Sequence, residues 1–239
     1  MKNILKFGLV GIAALALSSS LTTSTAQSRL MFDGEYRVTG LNPDGSDYGG
    51  AMTIARYGDG YRIIQAFGSD TYLGIGNDVG DYLAGAFIYN GKPVVSLYRV
   101  TDANTLSGFW QEFDSTKEGQ EKAVLNNATF SLIPAAPVAT TWNYSGTYGI
   151  KGTAPSGAAY TGTMALTNYG DGYRASYASG TTTWRGIASY IGKYLAISWQ
   201  AGSNLQVSIF EGNPRTGDLK GYWQDYNSLK EGAEIATLK

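Results

Sequence analysis

The sequence predicts an all-β protein made of two tandem eight-stranded antiparallel up-and-down barrels. Three observations lead there. The hexapeptide Tyr57-Gly58-Asp59-Gly60-Tyr61-Arg62 returns 112 positions later as Tyr169-Gly170-Asp171-Gly172-Tyr173-Arg174. The stretch Gly108-Phe109-Trp110-Gln111-Glu112-Phe113 returns 113 positions later as Gly221-Tyr222-Trp223-Gln224-Asp225-Tyr226, so the chain is a tandem duplication with one residue inserted. Within each copy, short runs rich in aromatic and β-branched residues alternate with turn residues about every eight to twelve positions, the spacing of a sandwich or barrel.

In the first copy the predicted strands are 34–40, 49–57, 61–67, 71–76, 82–89, 94–100, 106–113 and 119–125. Turn chemistry separates them: Asn42-Pro43-Asp44-Gly45-Ser46, Gly68-Ser69-Asp70, Asn77-Asp78-Val79-Gly80 and the hairpin dipeptide Asn90-Gly91. The repeated Gly-Asp-Gly reads as one more tight turn, because Gly and Asp accept positive φ. No connection is long enough for a crossover helix, which leaves an antiparallel meander. The second copy repeats the plan from Tyr144 to Leu238, with the inserted residue in the loop 213–217. Eight such strands most simply close, since closure removes both exposed sheet edges. A single sixteen-stranded membrane barrel is the rival. The Pro-containing midpoint and strands shorter than the roughly 9–11 residues a bilayer needs count against it.

Period-two alternation assigns an inner face. Tyr36 and Val38, Met52 and Ile54, Leu73 and Ile75, Leu83 and Phe87, Val95 and Leu97 are expected inside the first barrel. Tyr148 and Ile150, Met164 and Leu166, Ile187, Leu195 and Trp199, Val207 and Ile209 are their counterparts. Arg185 in place of Leu73 is the one break, and it puts either position 73 at a rim or the parity of that strand in question.

Residues 1–26 read as a cleaved signal peptide: Lys2 and Lys6 precede the apolar run Phe7 to Leu17, and small residues at Ser24 and Ala26 suit cleavage before Gln27. The run is too short for a bilayer of about 30 Å. The expected domains are a first barrel at 27–133, a linker at 134–141 containing Pro134 and Pro137, and a second barrel at 142–239. The expected location is the periplasm or the outside of the cell. Without Cys, no disulfide or lipoprotein anchor is available, and packing must hold each unit. Eighteen basic against 19 acidic residues, with no basic run, gives no footprint for nucleic acid.

The absence of His and Cys removes the Ser-His-Asp triad, thiol nucleophiles, and zinc or haem sites built on imidazole or thiolate. No cofactor or metal is expected. The oxygen-rich segment 77–81 has calcium-like ligands, but the second copy has Ser189-Tyr190-Ile191-Gly192-Lys193 there. Of the acids present in both copies, Asp59 and Asp171 are explained by their turns, and Glu118 and Glu231 by solvated hairpin loops. Glu112 and Glu121 are not so explained. Alternation puts Glu112 on the face of Trp110, and Asp225 on the face of Trp223, at or inside a barrel mouth. A buried carboxylate needs a partner, and Arg62 or Arg174 is the candidate, as a structural lock or as part of a site. Should Trp110 and Trp223 line a cavity, Tyr36, Tyr61, Tyr148 and Tyr173 are their candidate neighbours. No residue is assigned a catalytic role.

Gly34-Glu35-Tyr36-Arg37-Val38-Thr39-Gly40-Leu41-Asn42-Pro43-Asp44-Gly45-Ser46, followed by Tyr48, Gly50 and Ile54, resembles a family of small exported bacterial β-barrel proteins, some labelled fibronectin-binding. The resemblance continues through Tyr57 to Arg62, Tyr72 to Gly76, Trp110 and Gly119-Gln120-Glu121, and more loosely through the second copy. Where that family often has Trp in the third strand, this chain has Gln65 and Tyr177. In strand order the units are also similar to avidin and lipocalin barrels. The resemblance implies a non-enzymatic exported binding protein acting on an envelope or extracellular macromolecule. The alternatives are a lipocalin-like carrier of a small apolar ligand and, third, a carboxylate-based hydrolase. A wide exposed aromatic patch favours the first and an open apolar cavity the second.

Overall fold

The computed structural model of the chain describes residues 32–126 and 142–239. The signal peptide expected at 1–26 and the linker expected at 134–141 lie outside the described residues. The first copy forms β1 (Gly34–Leu41), β2 (Asp47–Tyr57), β3 (Gly60–Phe67), β4 (Asp70–Val79), β5 (Tyr82–Tyr89), β6 (Lys92–Asp102), β7 (Thr105–Glu112) and β8 (Gly119–Leu125). The second forms β9 (Gly146–Thr153), β10 (Ala159–Tyr169), β11 (Gly172–Ser179), β12 (Thr182–Ile191), β13 (Tyr194–Ala201), β14 (Asn204–Gly212), β15 (Leu219–Asp225) and β16 (Gly232–Leu238). Each set is an antiparallel meander whose last strand pairs with its first, so the molecule is two closed eight-stranded barrels. That fold class is the one the sequence predicts.

Asn90 and Gly91 both take positive φ, 49° and 72°, as a two-residue turn matched to strand twist requires. The inserted residue falls in the β14–β15 connection, which is longer than its β6–β7 equivalent.

The parity of two strands in each barrel, β4 and β6 and their counterparts β12 and β14, differs from the expectation. Gln65 pairs with Tyr72, Ile63 with Gly74 and Tyr61 with Gly76, so Tyr72, Gly74 and Gly76 point inward while Leu73 is 55% exposed on the outside. Ile75, Val95 and Leu97 are buried, but outside the first barrel, in one cluster with Ile187, Val207 and Ile209 from the outer face of the second. Strands β4–β6 pack on β12–β14, and a third core therefore lies between the barrels. Apolar residues on both faces of β5 and β6 removed the alternation that marks an inner side.

The contact is reciprocal. Tyr82 stacks on its own counterpart Tyr194 at 3.9 Å. The Gly58-Asp59 turn inserts into the second barrel's β15–β16 loop, where Asp59 N donates to Leu229 O at 2.8 Å and Glu231 N donates to Asp59 Oδ2 at 3.2 Å. In the other direction, Asp171 N donates to Thr116 O at 2.9 Å and Glu118 N donates to Asp171 Oδ2 at 3.1 Å. Gln224 Nε2 reaches Tyr57 O at 3.2 Å, and Gln111 Nε2 reaches Tyr169 O at 3.3 Å. The repeated hexapeptide is thus a turn and also the clasp between the barrels. Its first glycine is needed twice over: φ is +64° at Gly58 and +65° at Gly170, and a Cβ would lie 1.7 Å from Leu229 O or 1.6 Å from Thr116 O.

Glu118 is not a solvated loop acid. Ser189 Oγ of the second barrel donates to its Oε1, and burial pushes its carboxyl up to about 7, with Asp171 nearby adding to the rise. Between its ordinary value of 4.5 and about 7 the folded chain holds a proton the unfolded chain has released.

Because a shared core and two clasps join the barrels, calorimetry should record one unfolding transition for the whole chain; two resolved transitions would contradict this. Leu97→Ala, on the outer face of the first barrel, should lower that single transition by about 2–5 kcal/mol of stability. Gly170→Ala should split or broaden it. Stability carried by Glu118 should be present in acid and fall as pH rises from 4.5 to about 7, by on the order of 3 kcal/mol. Denaturant titrations of Glu118→Gln should show a shallower slope across that window, and an unchanged slope would refute the assignment.

Candidate functional site

Each barrel is filled at one end and hollow at the other. In the first, Tyr36 donates to Phe32 O at 2.8 Å and Phe32 meets Tyr61 edge to face at 5.6 Å, which plugs the end where β1 begins. The second repeats the plug, with Tyr148 donating to Tyr144 O at 2.8 Å and Tyr144 N donating to the Tyr173 hydroxyl at 3.1 Å.

At the opposite end of the first barrel is a cavity of about 310 Å³, lined by Asn42, Tyr48, Gln65, Phe67, Tyr72, Phe87, Tyr89, Val94, Ser96, Trp110, Glu112 and Glu121. The second barrel has one of about 210 Å³, lined by Ala154, Tyr160, Tyr177, Trp184, Trp199, Gln206, Ser208, Trp223, Asp225 and Glu234. Every residue of the second lining is the repeat counterpart of one in the first, to which the first adds Phe67 and Tyr89. Trp110 and Trp223 owe their seats to glycine: each pairs across strands with Gly119 or Gly232, where a Cβ would lie 2.3 Å from the indole ring. Around the first mouth, Trp110, Tyr48, Phe67, Tyr72 and Tyr89 form a belt of successive ring contacts with centroids 5.2–6.2 Å apart.

A buried glutamate forms part of each lining. Glu121 is 5% exposed; its Oε1 accepts from Tyr98 Oη at 2.5 Å and Gln65 Nε2 at 3.1 Å, and its Oε2 from Tyr48 Oη at 2.8 Å. Burial raises its carboxyl, and the hydrogen bonds from Tyr98, Tyr48 and Gln65 hold it back. Burial and then the charge of Glu121 push the Tyr48 and Tyr98 hydroxyls upward, so both stay protonated as donors. In the second barrel Tyr160 donates to Glu234 Oε1 at 2.8 Å, and Trp223 Nε1 donates to the Tyr160 oxygen at 2.5 Å. Phe210 replaces Tyr98 there, and Tyr177 replaces Gln65 as a second partner of Glu234.

Of the residues singled out in the sequence, Trp110, Glu112, Trp223 and Asp225 line the cavities. Tyr36, Tyr61, Tyr148 and Tyr173 belong to the plugs. Arg62 and Arg174 lie outside the barrels, in the clasp. Arg62 sits 3.9 Å over the Tyr57 ring and 3.6 Å over Tyr226, and Arg174 lies 3.7 Å over Phe113 and 4.1 Å over Tyr169. The expected pairing of these arginines with Glu112 and Asp225 is replaced by cation–π stacking between barrels and, for Arg174, by Asp114 at 3.6 Å. Sequence reasoning missed Tyr48, Phe67, Tyr72 and Phe87 as a lining, with Tyr160, Trp184 and Trp199 in the second barrel, and it missed Tyr98 as the buried partner of Glu121. Correct parity for β4 would have placed Tyr72 and Trp184 beside Trp110 and Trp223.

No family model and no curated protein matches the chain. Similar solved structures include a protein of unknown function of the DUF3598 family from Nostoc punctiforme, at 12% identity over 87% of this chain and 96% of that one, with a TM-score of 0.27. A candidate outer membrane protein of Bacteroides fragilis is 9% identical over 87% and 97% of the two chains, at a TM-score of 0.30. A point mutant of transferrin binding protein B of Haemophilus parasuis is 8% identical over 86% and 75%, at 0.26. At these identities and scores they bear on neither site nor ligand.

Tyr98→Phe removes one charge-assisted hydrogen bond from Glu121 and should cost about 1.5–3 kcal/mol where the carboxylate is ionised. The loss should shrink in acid, where protonation of Glu121 removes the charge that Tyr98 supports. Chemical denaturation at alkaline and acid pH measures the difference, and an equal loss at both would show that the hydroxyl does not act through that carboxylate.

Proposed function

We propose that the protein is an exported, non-enzymatic binding protein in which each barrel takes up one small ligand through its open end. The carrying observation is the pair of cavities at equivalent positions, each lined by aromatic side chains with a few convergent polar groups, as ligand pockets are. An eight-stranded barrel can be filled by its own side chains or leave room for one small molecule, and here each holds a cavity at one end. The hydroxyl donors on both oxygens of Glu121 make it a fixed polar group of the wall, which supports a binding role. The apolar leader at 1–26 supports export. Among the two binding readings, the cavity favours a small ligand over a macromolecular surface.

Uptake of the uncharged dye N-phenyl-1-naphthylamine tests this, because its emission rises when it leaves water. The expected stoichiometry is two. Val94→Trp and Gln206→Trp, at equivalent positions of the two linings, should each remove one site and together remove both. No uptake by the native protein, or uptake that survives in the folded double variant, would overturn the reading.

A further inference from the structure

The charge of the two linings is one-sided. Each contains two carboxylates, Glu112 with Glu121 and Asp225 with Glu234, and neither contains a Lys or Arg. Within each pair the two acids are held differently. Glu121 and Glu234 have hydroxyl donors. The carboxylates of Glu112 and Asp225 have no hydrogen bond or ion pair with any described residue, although both are partly withdrawn from water. Burial raises both carboxyls, with Asp114 adding to the effect at Glu112. Lys92, in the strand beside β7, is already paired with Asp114. A partly buried carboxylate without a counter-charge is costly, and a cation is the group whose binding would offset that cost.

The rest of the wall fits the same guest. Ring faces attract cations through their quadrupole, indole most strongly, and each lining sets several rings beside its unpaired acid. Trp184 and Trp199 stand in the second cavity where the first has Tyr72 and Phe87, so the aromatic character persists through the duplication while the individual rings change. The acid persists as well, as Glu112 in one copy and Asp225 in the other. A fatty acid or other anion would face two carboxylates and no balancing charge.

We propose that the ligand of each cavity is a small organic cation, a protonated amine or quaternary ammonium on an apolar body, whose charge is met by Glu112 in the first barrel and Asp225 in the second. This rests on the cavities being ligand sites. The apolar body lies against the aromatic belt, and the cationic head replaces the counter-ion that the fold leaves out.

Three probes of one shape decide it: phenethylamine, phenethyl alcohol and hydrocinnamate, titrated into the full chain by calorimetry at neutral pH. The amine should bind about tenfold or more tighter than the alcohol, and hydrocinnamate weakest. In the Glu112→Gln and Asp225→Asn double variant, shown by circular dichroism to be folded, the amine should lose that advantage over the alcohol. Equal binding of amine and alcohol, tighter binding of hydrocinnamate, or an amine preference that survives the double variant would each overturn the inference. If those results accompany normal uptake of the uncharged dye, the cation alone is refuted and the cavities stand as ligand sites. If neither amine nor dye binds, both readings fall.

Discussion

The structure depends on the approach of one backbone to another where no side chain intervenes. Gly58 and Gly170 bring the tips of two hairpins so close to carbonyl oxygens of the opposite barrel that a single carbon would not fit. Around those tips the amide of Asp59 or Asp171, the glutamine one residue before the end of β7 or β15, and the stacked arginine each repeat in both directions. Residue i meets j and the counterpart of j meets that of i, which is the pattern of a two-fold interface between identical subunits. Here both halves lie on one chain. The outer faces of β4–β6 and β12–β14 could become apolar without exposing a sheet to water because each covers the other.

Within a barrel the balance lies between filling and leaving room. Phe32 and Tyr144, just before β1 and β9, close one end together with Tyr36 and Tyr148, whose hydroxyls are satisfied on the backbone four residues earlier. At the other end inward glycines such as Gly74 and Gly85 let large rings stand at the wall while the middle stays empty. A glutamate in such a space is tolerable only because tyrosine hydroxyls are aimed at it, and those hydroxyls are in turn held protonated by the same burial. The polar group and its donors thus form a unit, and the second barrel keeps the unit while exchanging its members.

The strand order, the closed barrels and the duplication were legible because each rests on local chemistry: turn residues, alternation and repeated words. What was not legible is what arises between the copies. Ile75, Val95 and Leu97 obey a period of two, but this apolar phase of β4 and β6 points to the neighbouring barrel rather than to the interior, and Leu73 on the same phase of β4 is exposed. Gly58-Asp59 satisfies every rule for a turn, so nothing in it announces a second task. Glu118 reads as a loop acid until another barrel removes its water. Arg62 reads as a partner for an internal acid because its outward direction leads to Tyr226, which is 164 positions away. In the site itself Trp110, Glu112, Trp223 and Asp225 could be found from one strand, while Tyr48, Gln65, Tyr98 and Glu121 meet only when the barrel closes.

Strand β7 has one further consequence. Its alternate residues Trp110 and Glu112 face the cavity, while Gln111 and, just past its end, Phe113 are held by Tyr169 and Arg174 of the other barrel; β15 does the same in reverse through Gln224 and the following Tyr226. A wall of each chamber is therefore anchored in the opposite half of the molecule. The seat of Trp110 in the first chamber is thus fixed by the same strand end that meets Tyr169 of β10 and Arg174 of β11.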